Sequence, residues 1–325
     1  MELSGGFHRL LVTGGAGFIG SHLTRRLLGE GFEVTVIDDL SYGNMRNLHG
    51  LEGEKGFRFV KGDVRNLRLL KKVCGDMDAV FHEAALVSVP LSAAQPRLVN
   101  DVNVNGTLTL LEAASRGDVE KIVLASSCAV YGDPPILPCS EESPTHPISL
   151  YGATKLAAEL YSRLYSEVHG LSTVVLRYFN VYGPSYGRSG EETVVRAFLT
   201  RLMNGKPPIV YGDGSQTRDF IHVEDVVEAN LRALAYNGKP YNVFNVGTGK
   251  PTRIIDLAYK LIQLLNLDGL KPIFHPSRVG DIKHSYADVE RAIKELGHVA
   301  DVSLEEGLKM TVKWHKMAMS EWLKL

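Results

Sequence analysis

The first forty residues constrain the fold of this chain more than any other segment. A short apolar run, Arg9 to Thr13, leads into the glycine-rich stretch Thr13-Gly-Gly-Ala-Gly-Phe-Ile-Gly20. Helical periodicity follows from Phe18 to Gly31, and a β-branched run, Glu33 to Ile37, ends at Asp38. This order predicts a buried strand, a tight turn, a helix and a second strand. Such a unit favours a parallel sheet that is covered by helices.

Strand-like and helix-like segments continue to alternate through the first half of the chain. Predicted strands lie at Phe57 to Val60, Ala79 to His82, Lys121 to Ala125 and Ser172 to Tyr178. Predicted helices lie at Leu67 to Val73, Leu98 to Ala114 and Leu150 to His169. The predicted fold class is α/β: a Rossmann-type doubly wound parallel sheet with a smaller C-terminal α/β substrate domain.

The alternation loosens after Asn180, where a long loop begins. We predict a first domain over residues 1–180 and a second over residues 181–325. In the second half, a helix at Thr193 to Met203 and a strand at Pro208 to Tyr211 are expected, with another helix from Val223. The run Tyr241 to Val246 is apolar enough to join the main sheet as an additional strand.

Composition narrows the classes of partner. The chain has 325 residues, and 36 Lys and Arg against 37 Asp and Glu give a net charge of −1. A balanced charge argues against nucleic acid and anionic membranes as partners. Three scattered cysteines indicate neither a disulfide framework nor a zinc site, and no metal is expected. With neither a signal peptide nor a membrane-spanning run recognisable, we expect a cytoplasmic protein.

The glycine-rich turn predicts a dinucleotide site. Gly14 permits the turn, Gly17 lets the backbone approach a pyrophosphate, and Gly20 permits close packing of helix on strand. The amides at the start of the helix then face the phosphates. Asp38 ends the second predicted strand, where a carboxylate accepts hydrogen bonds from a ribose 2′-hydroxyl and repels a 2′-phosphate. These features favour NAD over NADP.

Two aspartates at strand ends have competing interpretations. Asp38 is also a residue type that occurs in turns and caps. Asp63 closes the third predicted strand and is placed to reach the adenine, but an N-cap for the helix that follows Asn66 explains it nearly as well.

Three residues predict proton transfer at an alcohol. Tyr151 and Lys155 lie four residues apart on a predicted helix and share one face. We expect the ammonium of Lys155 to favour tyrosinate, which would make Tyr151 a general base near neutral pH. Ser127 follows the strand that begins at Lys121, and its hydroxyl is placed to bond the reacting oxygen. Ser126 and Cys128 are interpreted as packing residues, although the residues alone leave a role for Ser126 open.

These motifs and their order resemble the extended short-chain dehydrogenase/reductase family over nearly the whole chain. His82-Glu-Ala-Ala85, Asn103-Val-Asn-Gly106, Arg177-Tyr-Phe-Asn180 and Arg218-Asp-Phe-Ile-His222 add to the resemblance. The resemblance implies that Ser127, Tyr151 and Lys155 are catalytic. It implies NAD contacts from Gly14, Gly17, Phe18, Ile19, Asp38, Asp63, Val64, Ala84, Asn103, Tyr151, Lys155 and Tyr178. It implies nucleotide-sugar contacts from Ser127, Asn180, Val195, Arg218, Arg278, Asp281 and Ser285.

Within the family, the resemblance is to enzymes that invert carbon 4 of UDP-hexoses through a transient 4-keto sugar. Related 4,6-dehydratases carry an Asp-Glu pair after the catalytic Ser or Thr, whereas this chain has Ala129 there, so water elimination lacks its acid. A UDP-glucuronate 4-epimerase, with Lys283 or Arg188 as cation, and another NAD-dependent nucleotide-sugar enzyme stay open as alternatives. A non-catalytic NAD sensor would not need Ser127, Tyr151 and Lys155 together.

The resemblance also addresses sugar choice and assembly. Strict UDP-glucose/UDP-galactose epimerases often have a tyrosine where this chain has Ser285, and those that accept N-acetylated sugars have a small residue. A serine leaves room for an acetamido group, so we expect UDP-GlcNAc/UDP-GalNAc to react as well as UDP-glucose/UDP-galactose. A surface or core serine is the alternative interpretation of Ser285. The family resemblance further implies a homodimer formed through the helices Leu98 to Ala114 and Leu150 to His169.

Overall fold

The computed structural model describes residues 6–186, 193–277 and 282–322. Within these ranges the strands are β1 (Arg9–Thr13), β2 (Glu33–Asp38), β3 (Phe57–Lys61), β4 (Ala79–His82), β5 (Lys121–Ser127), β6 (Ser172–Tyr178), β7 (Asn180–Tyr182), β8 (Ile209–Tyr211), β9 (Thr217–His222), β10 (Tyr241–Val246), β11 (Pro251–Arg253), β12 (Ile273–His275) and β13 (His284–Ser285). The α-helices are α1 (Phe18–Gly29), α2 (Leu67–Cys74), α3 (Val89–Ala94), α4 (Pro96–Asn100), α5 (Gly106–Ala114), α6 (Leu150–His169), α7 (Val194–Met203), α8 (Val223–Ala235), α9 (Ile254–Leu264) and α10 (Leu304–Trp322).

A seven-stranded parallel sheet is the centre of the fold. Its strand order is β10-β6-β5-β4-β1-β2-β3. The chain runs outward from β1 in both directions, so the order reverses between β1 and β4. Open parallel sheets bind ligands at such a reversal, beyond the carboxyl ends of the strands. The predicted doubly wound Rossmann-type sheet is confirmed.

Helices cover both faces of this sheet because alternate strand residues point in opposite directions. On one face Leu10 and Val12 of β1 pack in a cluster with Leu23 of α1 and Leu231 of α8. On the other face Leu11 lies in a cluster that α2, α5 and α6 complete. Strands buried on both sides explain why these segments are almost continuously apolar.

The second half of the chain adds one strand to the main sheet and also forms a separate group of small sheets and helices. β10 pairs with β6 in parallel, as predicted for the strand near Tyr241 to Val246. The remaining strands form small sheets, β11-β9-β13 with β7 beside β9, and β12 beside β8. Helices α7, α9 and α10 surround a separate apolar cluster that includes Phe198, Leu261 and Leu308. A division at residue 180 stays a prediction.

The predicted helix Leu98 to Ala114 differs from the structure. The segment consists of α4, a π turn at Asp101–Asn105, and α5. A π turn contains one extra residue per turn, and the apolar periodicity of a short segment does not show that insertion. No helix in the described ranges is both long enough and apolar enough to cross a membrane.

Candidate active site

The carboxyl ends of the sheet strands open into one cavity of about 630 Å³. β1, β2, β4, β5 and β6 all end at its wall, as expected for ligand binding at a strand-order reversal. Most predicted site residues line it: Gly14, Gly17, Phe18, Ile19, Asp38, Asp63, Val64, Ala84, Ser127, Tyr151, Lys155, Tyr178, Asn180, Val195 and Arg218. Residues far apart in the sequence thus meet in one concave site, the usual shape of a small-molecule site.

The glycine turn leaves space and donors for a phosphate group. Gly14 has φ +68°, and a Cβ atom there would lie 2.7 Å from the backbone nitrogen of Ala84. A Cβ atom on Gly20 would lie 2.4 Å from the carbonyl oxygen of Gly14. Helix α1 begins after Gly17, has no side-chain N-cap and has no acidic residue in its first turn. Its first amides therefore point at the cavity with a favourable dipole for an anion, which fits a dinucleotide pyrophosphate.

Asp38 is buried beside this turn. Its Oδ2 accepts from the amide of Ala16 at 3.0 Å and its Oδ1 accepts from the amide of Leu40 at 2.8 Å. Burial raises the pKa of the carboxyl, and the two amide bonds partly counter that rise. These two bonds are typical of a turn residue, which was the alternative interpretation of Asp38. Asp38 also lines the cavity, where the cofactor contact stays a prediction.

Asp63 does not cap the next helix. The N-cap of α2 is Asn66, whose side chain accepts from the amide of Leu69. The Asp63 carboxylate instead pairs with Arg65, and this guanidinium lowers the pKa of the carboxyl. Asp63 lines the cavity, so the cap interpretation is excluded and the cofactor contact stays a prediction.

Ser127, Tyr151 and Lys155 meet where β5 ends and α6 begins. Ser127 and Tyr151 both line the cavity, and the Ser127 hydroxyl favours the ionised form of the Tyr151 phenol. Lys155 is buried, and its Nζ donates to the carbonyl oxygen of Ala125 at 2.8 Å. α6 begins at Leu150 because the side chain of Ser149 accepts from the amide of Gly152. This cap fixes the start of the helix that carries both the phenol and the ammonium.

Burial dominates the charges in this group. It raises the pKa of Tyr151 above its ordinary value, and the Ser127 hydroxyl only partly lowers it. Burial also lowers the pKa of Lys155 to about 8. Lys155 is not among the groups that shift the pKa of Tyr151, so the activation of the phenol by this ammonium stays a prediction.

A carboxyl that sequence reasoning did not assign lies beside these groups. Glu83 lines the cavity, and its Oε1 accepts from the phenol of Tyr178 at 2.8 Å. The Nδ2 of Asn230, on α8, donates to the same phenol oxygen at 2.8 Å. Burial raises the pKa of Glu83 to about 7, while Tyr178 and Lys155 favour its ionised form. The His82-Glu-Ala-Ala85 motif was the available signal for Glu83.

The substrate side of the cavity contains Asn180, Val195 and Arg218. The Oδ1 of Asn180 is buried and has no partner within the described residues. A buried acceptor of this kind indicates a missing ligand contact. Tyr211 and Gln216 also line this side and were not predicted from the sequence.

Ser285 lies behind the cavity wall. It is buried, and β13 places it opposite Arg218 of β9. Ser285 lies beside the thiol of Cys128, and Cys128 lines the cavity. The surface-serine interpretation is therefore excluded, and Ser285 is one residue removed from the cavity. The predicted contacts Arg278 and Asp281 lie outside the described residues.

Asn103 also lies outside the cavity lining, which differs from the predicted NAD contact. Its Oδ1 accepts from the amide of Leu86, and its Nδ2 donates to the Leu86 carbonyl oxygen and to the Thr154 hydroxyl at 3.0 Å. Its amide thus joins the loop after β4 to α6. The buried side-chain amide of Asn103 uses these hydrogen bonds within the protein, so Asn103 holds the elements around the site in position.

A buried ion pair connects α6 to the sheet. Glu159 accepts from Arg177 of β6 at 2.7 Å, with both side chains almost completely buried. Ser126 donates to the same carboxylate. The hydroxyl of Ser126 thus stabilises this ion pair, which is a structural role for Ser126.

Comparisons with known proteins agree with the fold and the cavity. The family model described as the NAD dependent epimerase/dehydratase family matches residues 10–247. A UDP-glucose 4-epimerase of Mycolicibacterium smegmatis is 41% identical over 95% of this chain and 98% of that protein. The solved structure of a UDP-N-acetylglucosamine 4-epimerase from Methanobrevibacter ruminantium M1, in complex with UDP-N-acetylmuramic acid, has a TM-score of 0.91 and 38% identity, covering 96% of this chain and 99% of that one.

A third comparison includes a bound cofactor. The solved structure of a UDP-glucuronic acid 4-epimerase mutant from Bacillus cereus, with UDP-4-deoxy-4-fluoro-glucuronic acid and NAD, has a TM-score of 0.86 and 32% identity, covering 95% of this chain and 99% of that one. The three named relatives share the inversion of a UDP-sugar at carbon 4 and differ in the sugar. The chain therefore belongs to the NAD dependent epimerase/dehydratase family, an extended short-chain dehydrogenase/reductase family, among its UDP-sugar 4-epimerases, and its cofactor is NAD.

Proposed function

We propose that this enzyme inverts carbon 4 of UDP-hexoses, both UDP-glucose/UDP-galactose and UDP-GlcNAc/UDP-GalNAc. The observation that carries the proposal is the convergence of Ser127, Tyr151 and Lys155 on the wall of one cavity, where β5 ends and α6 begins. These residues lie in the same cavity as the glycine turn, so an alcohol next to them would also lie next to a dinucleotide. The homologous epimerases support this reaction class.

Each catalytic residue has a distinct role in the proposal. Tyr151 takes the proton from the sugar 4-hydroxyl, and Ser127 shares the hydrogen bonding of that hydroxyl. The glycine turn and the start of α1 would hold NAD, which would supply reversible hydride transfer at carbon 4 with no net oxidation of the sugar. Lys155 supplies a positive charge beside the dinucleotide from its position against Ala125. The raised pKa of Tyr151 means that the phenol needs a bound cation to act as a base.

The residues beside Ser127 argue against dehydration as the reaction. Ala129 follows in the 3-10 turn Cys128–Val130, and its amide donates to the Ser127 hydroxyl at 3.2 Å. Its methyl side chain cannot protonate a leaving hydroxyl. Burial raises the pKa of Cys128 to about 11, so this thiol is a poor acid as well.

The contacts around Ser285 support acceptance of N-acetylated sugars. Ser285 reaches Cys128 with a small side chain, and Cys128 forms part of the cavity wall. A bulky residue at position 285 would need the volume that Cys128 and the neighbouring cavity provide. A serine leaves that volume for an acetamido group.

One observation favours UDP-glucuronate as a second candidate substrate. Arg196, on α7, lines the cavity in addition to Arg218. A 6-carboxylate requires a cation, and a guanidinium binds carboxylates with two parallel hydrogen bonds. Arg196 is thus the residue that supports this alternative; Lys283 does not line the cavity, and Arg188 lies outside the described residues.

The test is an epimerisation assay with the purified protein and no added cofactor. UDP-glucose, UDP-GlcNAc and UDP-glucuronate are incubated separately, and the carbon 4 epimers and any dehydrated product are resolved by chromatography. We expect the first two sugars to reach an equilibrium of epimers. Conversion of UDP-glucuronate alone would replace the proposal by the second candidate. A folded protein that contains NAD and converts none of the three would indicate a non-catalytic sensor.

A further inference from the structure

Glu83 is a carboxyl that lines the cavity close to the catalytic pair and has no role in the proposed proton transfer. It follows the last residue of β4, lines the cavity and is held by the phenol of Tyr178 at 2.8 Å. Tyr178 is held in turn by Asn230, which is fully buried on α8. Two buried side chains therefore fix the carboxyl in one orientation. A carboxylate held away from water costs free energy unless it interacts with a positive charge or with hydrogen-bond donors.

The charged neighbours of Glu83 place it near the reacting end of the cavity. The titratable groups that face it are Tyr178 from β6 and Tyr151 and Lys155 from α6. Glu83 and Lys155 each favour the ionised form of the other. Burial raises the pKa of Glu83 to about 7, so the carboxyl titrates near neutral pH.

We propose that the Glu83 carboxylate is the counter-charge for the cationic ring of oxidised NAD, and that it makes this site bind NAD more tightly than NADH. The proposal rests on the proposed function, because Tyr151 and Ser127 locate the ring beside the reacting alcohol. The oxidised nicotinamide ring is positive and the reduced ring is neutral. A carboxylate beside it therefore stabilises the oxidised form alone. A 4-epimerase needs its cofactor oxidised at the start of every turnover.

The consequence is a shift in the redox equilibrium of the bound dinucleotide. An opposite charge at contact distance changes an equilibrium by about tenfold or more. For a two-electron couple, tenfold corresponds to roughly 30 mV. By linkage, oxidised NAD also favours ionisation of Glu83, so reduction of the bound cofactor takes up part of a proton near neutral pH.

The experiment is a redox titration of the purified NAD-containing protein against a mediator dye, with the near-ultraviolet absorbance of NADH as the signal. Glu83→Gln keeps the size and the acceptor for Tyr178 but removes the charge. We expect its bound NADH-to-NAD ratio to rise about tenfold or more at a given solution potential. Glu141→Gln is the matched control, because Glu141 is a carboxyl with a raised pKa that does not line the cavity. Its ratio should equal that of the wild type.

The pH dependence separates charge from packing. At about pH 8 the wild type and Glu83→Gln should differ most, and at about pH 5 they should converge, because Glu83 is then protonated in the NADH form and increasingly in the NAD form. A wild type whose potential lacks this additional pH dependence would overturn the inference even if the variant does not fold.

The outcomes distinguish the inference from the proposed function. A Glu83→Gln ratio equal to the wild type at about pH 8, with normal carbon 4 epimerisation by the wild type, overturns the inference only. A wild type that retains no dinucleotide and epimerises no UDP-hexose overturns the proposed function and this inference together.

Discussion

At the scale of single residues, the site is governed by burial. Tyr151 and Lys155 are both buried, so each is pushed toward its neutral form, and only Ser127 and nearby carboxylates oppose that effect. A buried group is less costly in its neutral form, and an adjacent positive charge favours the ionised phenol.

Substituting Tyr151 by Phe tests the general base directly. Tyr151→Phe removes one hydroxyl and preserves the ring, so we expect epimerisation to fall by about a hundredfold or more. Bound NAD should be retained, because the glycine turn is untouched. Steady-state assay of the variant alongside its NAD content measures both. A variant with the wild-type rate would show that another group accepts the proton.

Substituting Ser285 by Tyr tests sugar choice. We expect Ser285→Tyr to abolish turnover of UDP-GlcNAc and to spare UDP-glucose, because the phenol would take the volume beside Cys128. Comparison of kcat/KM for the two sugars gives the result, with Ser285→Ala as the control that keeps the site small. Equal loss of both activities would contradict the pocket model.

Residue identities at the site could be predicted where short motifs carry them. The glycine turn, Ser127, Tyr151 and Lys155 all fall at strand ends or on one helix face, which sequence spacing shows. Glu83 could not be assigned in this way, because its state depends on Tyr178 in β6 and on Asn230 in α8. Asn103 was placed in the cavity by resemblance, whereas its amide is used by Leu86 and Thr154.

At the scale of elements, the position of α6 against the sheet decides the geometry of the site. Glu159 lies one turn after Lys155, and its carboxylate binds Arg177 of β6 and Ser126 of β5. One buried side chain thus connects the helix that carries the base to the strand that carries Ser127. The Glu159–Arg177 ion pair has an N–O distance of 2.7 Å and is almost wholly removed from water.

Breaking this ion pair should cost stability. Glu159→Leu leaves Arg177 buried and unpaired, so we expect the free energy of unfolding to fall by about 3–5 kcal/mol. The double variant Glu159→Leu/Arg177→Met should recover part of the loss, since no charge is left stranded. Urea unfolding measures the free energies. Glu290→Gln breaks the exposed pair with Lys294 and should have no measurable effect. A single variant as stable as the wild type would contradict this account.

Elements with strong periodicity were predictable, and short or interrupted ones were not. β1, β4, β6, β10 and α6 have the predicted bounds. The small strands β7, β9, β11, β12 and β13 were not predicted, because two to six residues give no clear period. The helix after Leu98 is interrupted by the π turn that contains Asn103. The side chain of Asn103 bonds to Leu86 and Thr154, and sequence periodicity carries no information about such distant contacts.

At the scale of the whole molecule, an exposed apolar stripe on α6 supports the predicted homodimer. Leu160, Leu164 and Val168 are four residues apart and are 48%, 46% and 71% exposed. Spacing by four places them on one helix face. A contiguous exposed apolar face favours association with another protein surface.

Charging this stripe should dissociate the dimer. We expect the wild type to have twice the mass of the chain by light scattering, and Leu160→Glu/Leu164→Glu to have the mass of a monomer. Ile293→Glu charges an apolar side chain of similar exposure away from α6 and should leave the mass unchanged. A wild type that is already monomeric at micromolar concentration would contradict the predicted assembly.

The pairing of β10 with β6 has a consequence for how the gene can be divided. A product ending near residue 180 would lose β10 together with α8, which covers one face of the sheet beside α1. The open hydrogen-bonding edge of β6 and its bare apolar side would invite intermolecular strand addition. Such a fragment is expected to accumulate in inclusion bodies, and it would refold when the missing piece, residues 181–325, is supplied in trans.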